Sequence, residues 1–214
     1  TTSLSTDYNE LIEISKQSTQ LAINNCGMDA VLGDIGEIVE EFIESKEVEI
    51  NGILYPLKST KDLTGHMILP YIIHGPKSIP NFKIKYPLRM EENEFYAVET
   101  FPTTGSGQTT NDIECSHYML NSERITKQMD KDIVLPIKEN YLFKKIKEIR
   151  ETLPFCRKWL KNEGIKGYQI PLNNLVKKKI ITAYPPIMSQ KGTYVAQHEH
   201  TIFIGYDKVH ILSE

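Results

Sequence analysis

Two stretches near the start of the chain have apolar residues at helical intervals. The first runs from Tyr8 to Asn25, and Gly27 stands where its helix would end. In the second, Asp34 and Glu37 have the spacing of a capping box, which predicts the start of a helix. The apolar positions that follow share one helical face, at Ile35, Val39, Phe42 and Ile43.

Runs of β-branched and aromatic residues predict strands further along the chain. An Asn-Gly dipeptide at 51–52 separates the runs 47–50 and 53–55, and this favours a hairpin because both turn positions require positive φ. Longer strands are predicted at 95–101 and 194–204. The predicted class is α+β with antiparallel strand pairs.

The segment 113–184 has a different pattern, in which short amphipathic runs predict helices. Apolar residues repeat at helical spacing over 142–149, a second helix is predicted around Phe155 and Trp159, and a third begins at Pro171. The pattern indicates a small helical module of the winged-helix type, inserted into the rest of the chain.

Charge sets part of this segment apart. The chain has a net charge of −3, whereas residues 141–179 contain eleven Lys or Arg and three Asp or Glu, a local charge of +8, which leaves −11 for the rest. An acidic body with a basic segment indicates a separate surface role for that segment.

Composition excludes several classes of protein. Hydrophobic residues make up 40% and charged residues 25%, and no apolar run approaches the roughly 18 residues of a membrane helix. The three cysteines, Cys26, Cys115 and Cys156, are widely spaced, which argues against a disulfide framework and favours a reducing cytoplasm. Because the chain begins at Thr1 without a signal peptide, we expect a piece of a longer cytoplasmic protein.

Four titratable residues with apolar neighbours are candidates for chemistry. Glu99 and Glu199 each lie in a predicted strand, where a buried carboxylate is costly unless it is paired or binds a metal. His66 and His74 stand in an apolar run and could be ligands or hydrogen-bond donors. The alternatives are an exposed Glu on an edge strand and core histidines with satisfied hydrogen bonds. Imidazole combined with carboxylates favours Mn, Fe, Co or Zn.

His198 and His200 flank Glu199 and point to the opposite face of the predicted strand. Their spacing differs from HExxH, in which a helix brings two histidines together, so a zincin site is excluded. The alternative to a functional role is that these side chains face solvent or are satisfied within the core, and we expect this of His198.

Several runs of the sequence, taken in order, resemble one known family, the type 2 methionine aminopeptidases. The runs that carry the resemblance are Gly65–Ile68, Tyr71–His74, Tyr96–Phe101, Asp112–Met119 and Lys191–Ile202. The resemblance implies the pita-bread aminopeptidase/creatinase fold, incomplete and mainly its C-terminal half, with a winged-helix-like helical insertion. It assigns residues 1–112 and 185–214 to the catalytic domain and 113–184 to the insertion.

The resemblance also implies roles for individual residues. His66, Glu99 and Glu199 would be ligands of two divalent metal ions (Co, Mn, Fe or Zn), with Glu199 bridging them and Glu99 also acting as general base. His74 would contact the scissile amide. The residues implied to bind substrate, the N-terminal methionine of a nascent chain, are Ile73, His74, His117 and Tyr184.

The sequence departs from the family pattern at several points. Two aspartate ligands would precede Thr1, so the metal site in this chain would be incomplete, and we expect the chain alone to be inactive. Pro76 and Pro102 stand where the family usually has Gly, and Pro154 replaces a small pocket residue. These prolines would tighten loops or reshape the methionine pocket.

Other readings of the same sequence remain open. A non-enzymatic relative of the same fold that binds RNA and ribosomes is the main alternative; the basic run 177–179 favours it, although a solvated helix end explains that run as well. Retention of His66, Glu99 and Glu199 argues against it. A prolidase would lack the insertion, and a DNA-binding winged helix explains fewer than half the residues. We expect the ribosome as a further partner, and neither membrane nor specific DNA.

Overall fold

The computed structural model describes residues 1–111, 114–121 and 134–213. These residues form two compact units, Thr1–Thr110 with Met188–Glu214 and Asn111–Ile187. The predicted boundary between residues 112 and 113 lies outside the described residues, and the assignment of 113–184 as an insertion stays a prediction. None of the helices in the described ranges has the length and apolar character that crossing a membrane requires.

The first unit contains two long helices and most of the strands. Its helices are α1 (Asn9–Asn24) and α2 (Leu32–Glu44), with a 3-10 turn at Thr6–Tyr8. Its strands are β1 (Glu47–Ile50), β2 (Ile53–Pro56), β3 (Lys58–Ser59), β4 (Gly65–Ile68), β5 (Ser78–Ile79), β6 (Phe95–Thr100), β7 (Pro102–Thr103), β13 (His198–Ile204) and β14 (Val209–Ile211). The chain passes between the units within β8 (Thr110–Asn111) and β12 (Ile187–Met188).

A five-stranded antiparallel sheet, in the order β14-β13-β6-β4-β5, forms the centre of the first unit. Helix α1 packs across β13 and β6, and α2 packs against α1 and β5. The apolar face of α1 meets the sheet because its buried positions repeat every three or four residues, at Leu11, Ile14, Ser15, Ser18, Thr19, Ala22 and Ile23. The sheet therefore has one face covered by a helix and one face on which other side chains can converge.

The predicted helices and hairpin of this unit are confirmed, but the predicted helix start at Asp34 is wrong. Helix α2 begins at Leu32, and no side chain caps it. Tertiary contacts determine the start: Leu32 is fully buried, and its backbone N–H donates to the carbonyl of Leu88 at 2.9 Å. Glu37 instead forms an ion pair with Lys83.

The strand predictions hold with shifted ends. The hairpin pairs β1 with β2, and its turn residues Asn51 and Gly52 have φ of 54° and 76°, as the dipeptide predicted. The last long strand begins at His198 rather than at 194, and β14, which sequence patterns did not indicate, pairs with it. Gly65 lets β4 lie close to β6, because a Cβ there would stand 2.6 Å from the carbonyl oxygen of Ala97.

Buried hydroxyl groups join α1 to the end of β6. The Thr100 hydroxyl lies 2.7 Å from that of Ser18 and 2.8 Å from that of Thr19. The Thr19 hydroxyl also donates to the carbonyl of His198 at 3.0 Å. One helix therefore fixes β6 and β13 at the positions next to Glu99 and Glu199.

The second unit has its own core of helices and a three-stranded antiparallel sheet in the order β10-β9-β11. Its elements are β9 (His117–Leu120), α3 (Ile137–Arg150), β10 (Phe155–Cys156), α4 (Arg157–Asn162), α5 (Gln169–Lys177) and β11 (Ile181–Tyr184). The three predicted helices are present, but Phe155 belongs to a strand because its backbone pairs with β9, and the third helix begins two residues before Pro171. Glu139 is buried there, where it accepts a hydrogen bond from Asn174 at 2.9 Å and pairs with Lys178.

A nearly buried ion pair ties the loop that follows β4 to the edge of β6. The Lys77 ammonium lies 2.6 Å from Glu94 and 2.9 Å from Glu91, and the Tyr96 hydroxyl donates to Glu94 at 2.7 Å. Burial alone would raise the pKa of Glu94, but hydrogen bonds from Lys77 and Tyr96 hold that pKa below its usual range. The pair thus stabilises the fold at pH values above the ordinary pKa of a glutamate. This contribution is lost as the pH falls through the lowered pKa of Glu94.

We expect Lys77→Met to lower the free energy of unfolding by about 3 kcal/mol at pH 7, because it leaves Glu94 buried without its cation. Denaturant unfolding at pH 7 and at pH 3 measures the effect, which should shrink at the lower pH. Lys83→Met, which removes an exposed partner of Glu37, is the control and should change little. An equal loss in both variants would contradict the argument.

Candidate metal centre

The pairing of β6 with β13 places Glu99 directly opposite Glu199. In an antiparallel pair, directly opposite residues point to the same face, so both carboxylates lie on the face of the sheet away from α1. Like charges in this position destabilise a sheet unless a proton or a cation lies between them. The register therefore creates a site that favours positive charge.

Glu99 occupies the more buried position of the two. Its side chain is 15% exposed. Burial, and after it the charge of Glu199, raises the pKa of Glu99 to about 7, while a hydrogen bond from Gln197 acts in the opposite direction. A carboxyl that titrates near neutral pH can both accept and release a proton under cellular conditions.

His66 is the imidazole closest to this pair. It lies on β4 opposite Ala97, on the same face as Glu99, and its Nε2 is 3.7 Å from a Glu99 carboxylate oxygen. The His66 side chain is 13% exposed. Its position follows from the sheet order, because β4 is the neighbour of β6 on the side away from β13.

A tight loop brings His74 back to His66. The backbone N–H of Gly75 donates to the carbonyl of Met67 at 2.7 Å, and the N–H of Met67 donates to the carbonyl of Lys77 at 2.8 Å. The rings of His66 and His74 meet edge to face, with centroids 4.5 Å apart. The His74 side chain keeps contact with solvent, yet partial burial and the neighbouring His66 lower its pKa, so a neutral ring can donate a hydrogen bond.

Gln197 is a member of this site that sequence patterns did not single out for a role. Its amide nitrogen donates to Glu199 at 3.0 Å and to Glu99 at 3.3 Å. The available signal was its position two residues before Glu199, on the same face of the strand. The amide places one neutral donor between two carboxylates, which reduces their repulsion without removing it.

The donors at this site fit a divalent cation as part of its ligand set. One imidazole and two facing carboxylates are the ligands that Mn, Fe, Co and Zn accept, and the raised pKa of Glu99 indicates a need for positive charge. Within the described ranges, however, no three His, Cys, Asp or Glu side chains converge closely enough to hold a metal ion. The ligand roles of His66, Glu99 and Glu199 stay predictions.

The other predicted site residues lie in two places. Ile73 is half-buried in the loop that carries His74. His117 and Tyr184 belong to the second unit, where they are directly opposite each other on β9 and β11. Burial raises the pKa of Tyr184, so its hydroxyl is protonated at neutral pH. Their roles in substrate binding stay predictions.

The three prolines that depart from the family pattern lie in three different segments of the chain. Pro76 is exposed in the loop that carries His74, whereas Pro102 is buried in β7 opposite Ser59. The carbonyl of Pro102 accepts a hydrogen bond from the N–H of Ala196 at 3.2 Å. Pro154 is half-buried in the second unit, just before β10.

Comparison with known proteins gives relatives over almost the whole chain. It is 40% identical over 208 residues to methionine aminopeptidase 2 of Dictyostelium discoideum, which covers 96% of this chain and 46% of that protein. It is 42% identical over 204 residues to methionine aminopeptidase 2 of Schizosaccharomyces pombe, which covers 95% of this chain and 47% of that protein. The chain thus spans less than half the length of these relatives. No family model matches it.

Solved structures confirm the predicted pita-bread fold. A thermophilic Arx1 structure is similar with a TM-score of 0.66 at 12% identity, over 97% of this chain and 56% of that one. A methionine aminopeptidase from Thermotoga maritima is similar with a TM-score of 0.55 at 15% identity, over 98% of this chain and 53% of that one. At these identities the similarity concerns the fold alone.

The raised pKa of Glu99 predicts how stability depends on pH when no metal is added. Because the folded state holds this carboxyl at a pKa of about 7 and the unfolded state at its ordinary value, ionisation opposes folding. We expect the free energy of unfolding to fall by about 3 kcal/mol between pH 4.5 and pH 7 from this group alone. Glu99→Gln should remove that fall.

Denaturant unfolding at pH 5 and pH 8, with a chelator present, measures the fall in the free energy of unfolding for the unchanged chain and for Glu99→Gln. Glu49→Gln, an exposed carboxylate on β1, is the control and should keep the pH dependence of the unchanged chain. If Glu99→Gln and the unchanged chain lose the same stability between the two pH values, Glu99 does not have the raised pKa.

Proposed function

We propose, because the chain belongs to the methionine aminopeptidase 2 family, that it is part of a metal-dependent enzyme that removes the initiator methionine from nascent proteins whose second residue is small. The observation that carries this proposal is the direct register of Glu99 and Glu199 beside His66. Such an arrangement is costly for folding alone and is useful where a cation must be held.

Three residues of this chain would hold metal: His66, Glu99 and Glu199. We propose that they would contribute to a site for two divalent ions from the set Co, Mn, Fe and Zn. When bound, the ions would supply the positive charge that polarises the substrate carbonyl and makes a water molecule acidic. They would also relieve the repulsion between the two facing carboxylates.

The side chains of this chain would handle the proton. The Glu99 carboxylate would accept a proton from the attacking water and then release it to the departing amine. Neutral His74 can donate a hydrogen bond to the scissile amide and stabilise charge that develops on its oxygen. Gln197 would keep both carboxylates oriented through its amide.

Substrate recognition would require an apolar pocket for the methionine side chain. We propose Ile73 and His74 of the first unit as substrate-binding residues, and we propose the same role for His117 and Tyr184 of the second unit. Tyr184 and His117 are held opposite each other by β11 and β9, so one strand pair would position both. The substrate is then the N-terminal methionine of a nascent polypeptide, and the ribosome is a proposed partner. A cytoplasmic location is proposed as well.

The same proposal implies that the 214 residues do not turn over substrate alone. The chain spans 46% of the D. discoideum relative, and within the described residues no group of three His, Cys, Asp or Glu could hold a metal. The remaining ligands would come from the part of the relatives that this chain does not cover.

A second function, RNA binding without catalysis, is favoured by one observation. The basic stretch 141–179 carries a local charge of +8 and lies within the second unit. Positive surface of this kind binds phosphate backbones with an affinity that falls as salt increases. The facing carboxylates of the first unit have no use in that function, and for this reason we rank it second.

Methionine release tests the first function. A tripeptide that begins Met-Ala is offered to the chain and to a protein extended upstream by about one domain half, each with Mn²⁺ or Co²⁺ added. Only the extended protein should release methionine, and its Glu99→Gln variant should be slower by about 10²–10⁴-fold because it lacks the proton acceptor.

The matched control is Glu91→Gln in the extended protein, which changes an exposed carboxylate that pairs with Lys77. It should retain activity. Release by the 214 residues alone would contradict the incompleteness of the site. Absence of release and of metal binding in the extended protein, together with salt-sensitive RNA binding, would instead support the second function.

A further inference from the structure

The opposite face of β13 holds a second pair of titratable side chains, which the proposed function does not use. His198 and His200 lie two residues apart on the strand, so their side chains share the face towards α1. Both rings are half-buried. Glu199, between them, points to the other face of the sheet.

The two rings direct the same nitrogen at each other. The Nε2 atoms of His198 and His200 are 3.2 Å apart, and the ring planes are nearly perpendicular at 82°. Two Zn–N bonds of about 2.0–2.1 Å at a tetrahedral angle separate their nitrogens by about 3.3 Å. In the structure the two Nε2 atoms are hydrogen-bonded, and their separation also matches that of the two nitrogens of a bidentate chelate.

The other nitrogen of His200 is already engaged. Its Nδ1 donates to the carbonyl of Ser213, which is held beside β13 because the N–H of Thr201 donates to the Ser213 hydroxyl at 2.8 Å. A ring whose Nδ1 carries the proton has its lone pair on Nε2. A backbone carbonyl on the second nitrogen is also the usual support of a histidine that binds metal.

The strand itself is held in place at this point. The carbonyl of His198 accepts a hydrogen bond from the Thr19 hydroxyl of α1 at 3.0 Å. Both histidines therefore project from a backbone that is fixed on one side by a helix and on the other by the segment that contains Ser213. Little conformational freedom is lost when the two rings bind one ion.

We propose that His198 and His200 form a separate site for one borderline divalent cation such as Zn²⁺, bound through the two Nε2 atoms. Binding replaces the proton that the two nitrogens otherwise share, and this proton moves to Nδ1 of His198. Within the described ranges no third His, Cys, Asp or Glu joins the pair, so water would complete the coordination. The proposal does not depend on the activity proposed above.

Neighbouring charges set the strength of binding. Lys16 of α1 and the amino group of Thr1 oppose positive charge at His198, whereas Glu13 of α1 favours it. Two histidine ligands with both positive and negative charges nearby should bind a cation more weakly than a site with three protein ligands. Imidazole ligands favour Zn, Cu or Ni over Mg or Ca. Addition of Mg²⁺ should therefore leave both rings unchanged.

Zn²⁺ titration of the 214-residue chain, followed by long-range ¹H–¹⁵N spectra of the histidine rings, tests the proposal site by site. The Nε2 resonances of His198 and His200 should move together with one midpoint. Signals of His66 and His74 report the candidate metal centre separately, so failure at one site is distinguishable from failure at the other.

His198→Ala should lower the affinity for Zn²⁺ at least about tenfold, measured as the Zn²⁺ concentration at the midpoint of the His200 shift. Loss of a residue that only supports a metal ligand already lowers metal affinity by about 10–100-fold. His198→Gln provides a second variant if the first folds poorly. His210→Ala is the matched control, because this imidazole lies on β14 and contacts Phe203 instead. If Zn²⁺ moves only His66 and His74, or if His200 responds equally in His198→Ala, the proposal is overturned.

Discussion

The antiparallel register between β6 and β13 is the constraint on which the rest of the site depends. It places Glu99 opposite Glu199 on one face of the sheet, where two like charges cost folding free energy. The fold accepts this cost because the strands are held by other means: apolar packing of α1 on the opposite face, and hydroxyl contacts from Ser18 and Thr19 to Thr100. Strain at the carboxylates is thus offset by stability located elsewhere.

The two faces of the same sheet carry different chemistry. The open face has carboxylates with one imidazole beside them, a donor set for hard to borderline cations. The helix-facing side has two imidazoles whose Nε2 atoms meet at 3.2 Å. Because side chains alternate along β13, a single run from His198 to His200 contributes to both faces, and one backbone holds both sets in place.

Much of the first unit could be predicted from sequence because its signals are local. The α1 stripe and the Asn-Gly turn arise from contacts within a few residues, so periodicity and turn chemistry identify them. The start of α2 could not be predicted, since a long-range hydrogen bond from Leu32 to Leu88 replaced the local cap at Asp34. Phe155 lies in a strand for the same reason: its pairing with Tyr118 is nonlocal.

For the candidate site, the sequence by itself determined which residue types stand on strands. Through resemblance, it also determined the family of the chain. It singled out His66, His74, Glu99 and Glu199 as separate positions. Only the tertiary structure decided that Glu99 faces Glu199, that His66 is 3.7 Å from Glu99, and that Gln197 donates to both carboxylates. The physical reason is that register between distant strands is set by packing of the whole sheet, and a pKa depends on the neighbours that this packing supplies.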